Sequence, residues 1–190
     1  MHIICNIDGA IAINGAIVRP GAVSANGEGR RTSELRPPRE ICFDLAPAFI
    51  DFLHACAAWP VALSLVSEEP EHIVQALLDR HRFGHLPVFA RRRVGSTLES
   101  PFGRGDCPAR AGVCKCAIAG FRSQPRWPVT VYVGHARSDA CVARHADLLF
   151  ASGELAALAR ASARPFVPYE TFDDVRRGLE RRVAPMASSR

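Results

Sequence analysis

Six polar residues of this 190-residue chain stand where their side chains could do chemistry: Asn6, Asp8, Ser67, Lys115, His135 and Asp139. Asn6-Ile7-Asp8-Gly9 interrupts an apolar run that begins at Ile3 and resumes at Ala10-Ile11-Ala12. A carboxylate such as Asp8 can hold or release a proton at a reacting centre. Ser67 closes the apolar run Val61 to Val66, where its hydroxyl could donate to an anion or cap the next helix. Lys115 is the one lysine in a chain with 24 basic residues. Where arginine serves everywhere else, a retained lysine implies a position that needs a compact ammonium rather than a planar fork. His135 and Asp139 follow the apolar run Val129 to Val133. His135 is either part of a site there or a surface histidine.

The elements that must position these residues can be read from periodicity. Ile3 to Asn6 is continuous and apolar, the pattern of a parallel strand covered on both faces. Its polar residues fall at the carboxyl end, where open α/β sheets place their sites. Further strands are expected at Pro60 to Val66, Leu86 to Ala90, Val129 to Val133 and Asp147 to Ala151. Helices are expected at Ala46 to Ala58, after Pro70 with a stop at Gly84, at Val113 to Phe121, at Ser138 to Ala146 and at Glu154 to Ala161. A last helix opens at Thr171 as N-cap. Arg91 to Gly112 reads as a hairpin or loop. Alternating strands and helices predict an α/β fold, a Rossmann-like parallel sheet with helices on both faces. One domain over residues 1–182 is expected, with residues 14–39 as a loop and 183–190 as a tail.

Composition narrows the class. Apolar residues make up 48% and charged residues 23%, the balance of a globular protein with a real core. No apolar run reaches the ~20 residues of a membrane span, and no basic-then-apolar leader opens the chain. A cytoplasmic location and no membrane partner follow as expectations. Seven cysteines, an odd number set mostly in apolar runs, point to buried thiols rather than a disulfide framework. Cys107, Cys114 and Cys116, with Cys141, His135 or His145, could instead take zinc, although their spacing is not one of the common patterns. The net charge of +5 comes with arginine clusters at 30–31, 91–93, 176–177 and 181–182. They lack the interleaved aromatics of a nucleic-acid surface, so no nucleic-acid partner is expected.

Asn6-Ile7-Asp8-Gly9-Ala10-Ile11 resembles the Asp-x-Asp-Gly-Thr-Ile signature of the haloacid dehalogenase-like (HAD) superfamily of phosphatases. Ser67 matches that family's second motif, and Lys115 its third. Gly134-His135-Ala136-Arg137-Ser138-Asp139 is similar to its fourth, Gly-Asp-x-x-Ser-Asp. Cys114-Lys115-Cys116, the run from Ser138 to Ala151 and Pro168 to Val175 resemble the methionine-salvage branch. That branch comprises relatives of phosphoserine phosphatase acting on 2-hydroxy-3-keto-5-methylthiopentenyl-1-phosphate.

The resemblance implies a phosphate contact at Ser67 and Lys115, an acid/base at Asp8 and a Mg²⁺ ion near Asp139. It also exposes two departures. The family's nucleophilic Asp falls on Asn6, whose amide cannot form an aspartyl-phosphate. The metal-binding acid of the fourth motif falls on His135. Magnesium depends on carboxylate and phosphate oxygens, so its site should be weak or absent here. The loop 14–39 stands where family members carry a cap. The expectation is a catalytically degenerate phosphatase, a pseudophosphatase, that binds a phosphorylated small molecule or a protein partner. The alternative is an active phosphomonoesterase with a non-standard metal site.

Overall fold

The computed structural model describes residues 1–13, 16–17, 43–121 and 128–187. Strand β1 (His2–Asn6) enters a 3-10 turn at Asp8–Ala10. Then come three short strands, β2 (Ile11–Ile13), β3 (Ala16–Ile17) and β4 (Phe43–Leu45). Helix α1 (Pro47–Ala58), β5 (Ala62–Pro70), α2 (Glu71–Arg80), β6 (Val88–Val94) and β7 (Thr97–Glu99) follow. The second half holds the short α3 (Lys115–Ile118), β8 (Thr130–Gly134), a 3-10 turn at Arg137–Asp139 and α4 (Ala140–Ala143). It ends with β9 (Leu148–Ala151), α5 (Gly153–Ala161), β10 (Val167–Pro168) and α6 (Phe172–Ala187).

Seven strands form one sheet in the order β10-β9-β8-β1-β5-β6-β7, all parallel except the β6–β7 pair at one edge. β1 lies in the middle, and its five residues are buried, as the unbroken apolar pattern requires. Ile3 and Cys5 face one helical layer, where Phe49, Phe52 and Leu53 of α1, Val74 and Leu78 of α2, and Val175 and Leu179 of α6 pack together. Phe49 and Phe172 meet edge-on there, 4.7 Å between ring centroids. Ile4 faces the other layer, made by Cys116 of α3, Val142 of α4 and Leu155 and Ala159 of α5. Each fully buried Phe, Leu or Ile removed from water contributes on the order of 1.5–3 kcal/mol. The predicted sheet with helices on both faces is the observed architecture.

Several elements differ from expectation for local reasons. β5 does not stop at Val66 but runs to Pro70 through a bulge. The four-residue step from Val66 to Pro70 lies against the two-residue step from Phe89 to Arg91. Helix α2 ends at Arg80 rather than at Gly84, because Arg82 takes the left-handed conformation (φ +65°) and the Phe83 amide returns to Leu78. Gly84 is there for space: a Cβ would stand 1.7 Å from Asp79 Oδ1. The helix expected over 113–121 shrinks to α3. The one expected over 138–146 divides into a 3-10 turn and α4. The hairpin expected in 91–112 is present as β6–β7, turning at Gly95 (φ +59°).

The stretch 14–39 is not wholly a loop, since Ala16–Ile17 pairs with β2, and β2 with β4, in a small antiparallel sheet. The remainder of that stretch lies outside the described residues. α6 runs to Ala187, five residues into the predicted tail, with Val183 buried on its inner face. Among the described residues no helix is long and apolar enough to cross a membrane.

Candidate functional site

The carboxyl ends of β1, β5 and β8 meet, and the six residues singled out by the sequence meet with them. Asn6 is the last residue of β1. Its amide donates to Asp139 Oδ1 at 3.1 Å and Oδ2 at 3.2 Å, while its own Oδ1 accepts the Asp8 backbone N–H at 3.0 Å. Position 6 is therefore a buried hydrogen-bond bridge. It carries no nucleophile.

Asp8 stands on the 3-10 turn beyond β1. Ser67 Oγ donates to its Oδ1 in a short hydrogen bond, and the Glu68 N–H donates to Oδ2 at 3.2 Å. The bulge in β5 aims both donors, the usual service of a bulge beside a site. Burial pushes the Asp8 carboxyl up to about 6, against the pull of these two hydrogen bonds and of the Lys115 charge. Ser67 thus spends its proton on Asp8, and its oxygen accepts the Glu69 N–H at 3.0 Å.

Lys115 is fully buried at the start of α3. Its Nζ reaches Glu68 Oε1 at 2.5 Å, Ser138 Oγ at 3.3 Å and Asp139 Oδ1 at 3.7 Å. Burial alone would lower the ammonium's pKa, but the charges of Asp139 and Glu68 outweigh it and hold the pKa above its ordinary value. Glu68 also accepts the Val113 N–H at 3.4 Å. A carboxylate of the chain itself occupies the position facing the lysine.

Asp139 closes the cluster from the turn after β8. Besides the Asn6 amide it accepts Tyr132 OH at 2.8 Å and the N–H groups of His135 and Ala136 at 3.0 Å each. Gly134 leaves room for this: a Cβ would lie 2.5 Å from Asp139 Oδ2 and from Tyr132 Cε1. The phenol of Tyr132 is held well above its usual range by burial and by the Asp139 charge, so it stays a donor. His135 lies beside Gly9, where a Cβ would meet Nδ1 at 2.9 Å. Among the described residues neither of its buried ring nitrogens has a hydrogen-bond partner, and burial lowers its pKa, leaving the ring neutral.

This donor set does not fit magnesium. Both Asp139 oxygens are engaged by N–H and O–H donors, position 6 offers an amide nitrogen towards them, and position 135 offers imidazole rather than oxygen. Among the described residues no group of three His, Cys, Asp or Glu side chains converges on a point. The cluster can hold a proton on Asp8 and a positive charge on Lys115, and both are internally matched.

Two residues of the cluster escape a search by motif. Glu68 had a signal only in adjacency, an acid directly after Ser67. Tyr132 had a better one, since a phenol in a buried apolar strand must find an acceptor. The cysteines considered for zinc, Cys107, Cys114, Cys116 and Cys141, are buried in the second helical layer.

No family model matches the chain, and no curated protein matches it in sequence. Among solved structures it is similar to the HAD domain of the effector protein Lem4 from Legionella pneumophila, described as an inactive mutant. The TM-score is 0.54 at 13% identity, over 98% of this chain and 96% of that one. The chain thus has the fold of a HAD domain.

Proposed function

We propose that this chain is a catalytically degenerate phosphatase-fold protein, a pseudophosphatase, whose retained lysine binds the phosphoryl group of a phosphorylated small molecule or protein partner. The observation that carries the reading is Asn6 hydrogen-bonded through its amide to Asp139, where the family pattern needs a free attacking carboxylate. The resemblance of the cysteine-flanked lysine and the motif-four stretch to the methionine-salvage branch favours a small phosphate ester. Magnesium plays no part in this reading, because the donor set around Asp139 is already satisfied by the chain.

Lys115, Ser138 Oγ and the Val113 N–H make a cationic, donor-rich corner that now holds Glu68. A phosphate would take the place of that carboxylate, and Glu68, with a side chain 30% exposed, has solvent to turn towards. One observation favours the alternative, an active phosphomonoesterase with a non-standard metal: Asp8, at about 6, carries a removable proton near neutral pH.

Two measurements test the proposal. Hydrolysis of an aryl phosphate is followed with Mg²⁺, Mn²⁺ and Zn²⁺, and no turnover above background is expected. Turnover that co-purifies with the protein and disappears in Asp8→Ala would establish the alternative. Binding of inorganic phosphate is then followed by thermal shift, with a rise in Tm expected. No shift in either the wild type or Glu68→Gln would overturn the anion site.

A further inference from the structure

Around α3 lie four thiols that the site above does not use. Cys107, Cys114, Cys116 and Cys141 are all buried in the second helical layer. Side-chain hydrogen bonds join Cys114 to Cys107, Cys107 to Cys141 and Cys141 to Cys116. The Cys116 backbone N–H also bonds the Cys141 sulfur. Cys116 and Cys141 are distinguished from the rest by a pocket of about 220 Å³ that both of them line, together with Pro108, Phe121, Arg144 and His145. Pro108, Arg144 and His145 are exposed, so this pocket opens to solvent. Cys5 and Cys56, by contrast, are sealed in the apolar core on the other face of the sheet.

A soft metal is the first ligand such a cluster suggests. The sulfurs are joined in a chain rather than around a centre, and no metal-holding group is formed by the described residues. Paired thiols that line one pocket have a second chemistry, reversible oxidation.

We propose that Cys116 and Cys141 form a peroxide-sensitive dithiol, which closes to a disulfide linking α3 to α4. The Cys116 sulfur attacks one oxygen of hydrogen peroxide; the O–O bond breaks, an S–O bond forms, and the thiol proton leaves with the departing hydroxide as water. The Cys141 sulfur then displaces hydroxide from that sulfenic acid, forming the S–S bond, and its own proton completes a second water. Two thiols lose two electrons and peroxide gains them. The two residues line one pocket, and the disulfide forms as their sulfurs close to the ~2.05 Å of the bond. Arg144 and His145 at the pocket mouth supply a polar wall for the departing hydroxide. The link would tie the residue after Lys115 to the helix that begins after Asp139, so oxidation would be felt in the anion site without touching it.

Trypsin places each of the four cysteines on a peptide of its own, with Cys116 at the start of Cys116–Arg122 and Cys141 inside Ser138–Arg144. The full chain, purified reduced, is treated with equimolar hydrogen peroxide, alkylated, digested and weighed. A peptide pair joining Cys116–Arg122 to Ser138–Arg144, two hydrogens lighter and split by dithiothreitol, is expected. In Cys141→Ser the link should be missing and Cys116 should be trapped as a sulfenic acid by dimedone. Full alkylation of all four thiols after peroxide would overturn the proposal, as would a link between other cysteines. A stoichiometric metal that co-purifies and shields the four thiols would overturn it too, in favour of a tetrathiolate centre. Peptide mapping of the wild type decides even if the variant fails to fold.

Discussion

Asn6 and Asp139 are bound to each other by two hydrogen bonds, 3.1 and 3.2 Å, across the 133 residues that separate them in sequence. The amide presents a positive pole to a buried carboxylate. An aspartate placed at position 6 would set two carboxylates against each other, with Lys115 3.7 Å from Asp139. Asn6→Asp is expected to lower stability by about 3 kcal/mol at pH 7. Urea unfolding with and without millimolar Mg²⁺ checks it. Metal binding only to the folded variant should return part of the loss, and an unchanged midpoint without metal would refute the structural role of the amide.

Glu68 competes with any anion for Lys115. Glu68→Gln keeps the shape and removes the charge, so phosphate should bind at least tenfold tighter, worth about 1.4 kcal/mol. Calorimetric titration of phosphate into both proteins measures it. Equal affinities would mean that the carboxylate and the phosphate do not share a place.

Asp8 links stability to pH. Its folded-state pKa, about 6, is raised above the ordinary 3.8, so the folded chain holds a proton that the unfolded chain has released. The resulting stabilisation of the protonated form is complete below pH 3.8. It is lost progressively as pH rises from about 4 to 6, and is absent above that. The shift corresponds to about 3 kcal/mol. The difference in unfolding free energy between the wild type and Asp8→Asn, followed from pH 4 to 7, should change by that amount and in that direction. A constant difference would place Asp8 in water.

Tyr132→Phe removes one donor from a buried carboxylate and little volume. A loss of about 1.5–3 kcal/mol is expected, measured by thermal and urea unfolding. A neutral result would mean that another donor replaces the phenol.

How much of this was legible beforehand depends on what the residues report. Continuous apolar runs such as Ile3 to Cys5 report burial on two sides, so the sheet and its flanking helices could be read. The isolation of Lys115 among arginines marked a position needing a compact ammonium; the structure has it fully buried, facing Glu68 and Asp139, which the isolation did not tell. What escaped was pairing that depends on register and irregularity. The bulge that turns Ser67 towards Asp8 has no sequence marker, because Ser67-Glu68-Glu69 reads equally well as a strand end. The partnership of Glu68 with Lys115 spans 47 residues and follows from that bulge. The strand pairs among β2, β3 and β4 are too short to carry a period, and Phe43 to Leu45 reads simply as the approach to α1.

The cluster hangs from the middle strand of the sheet, since β1 is paired in parallel on both sides, with β5 and with β8. A strand so placed is freed only when the whole sheet comes apart, so its amides belong to the class that exchanges hydrogen by global unfolding. Asn6 and its neighbours therefore have no private route of motion. Whatever enters this site must be met by the side chains of Glu68, Ser138 and Lys115 moving over a fixed backbone. Each substitution at position 6 should accordingly change the slowest-exchanging amides of the protein, on both sides of β1, by the same free energy as it changes unfolding in urea.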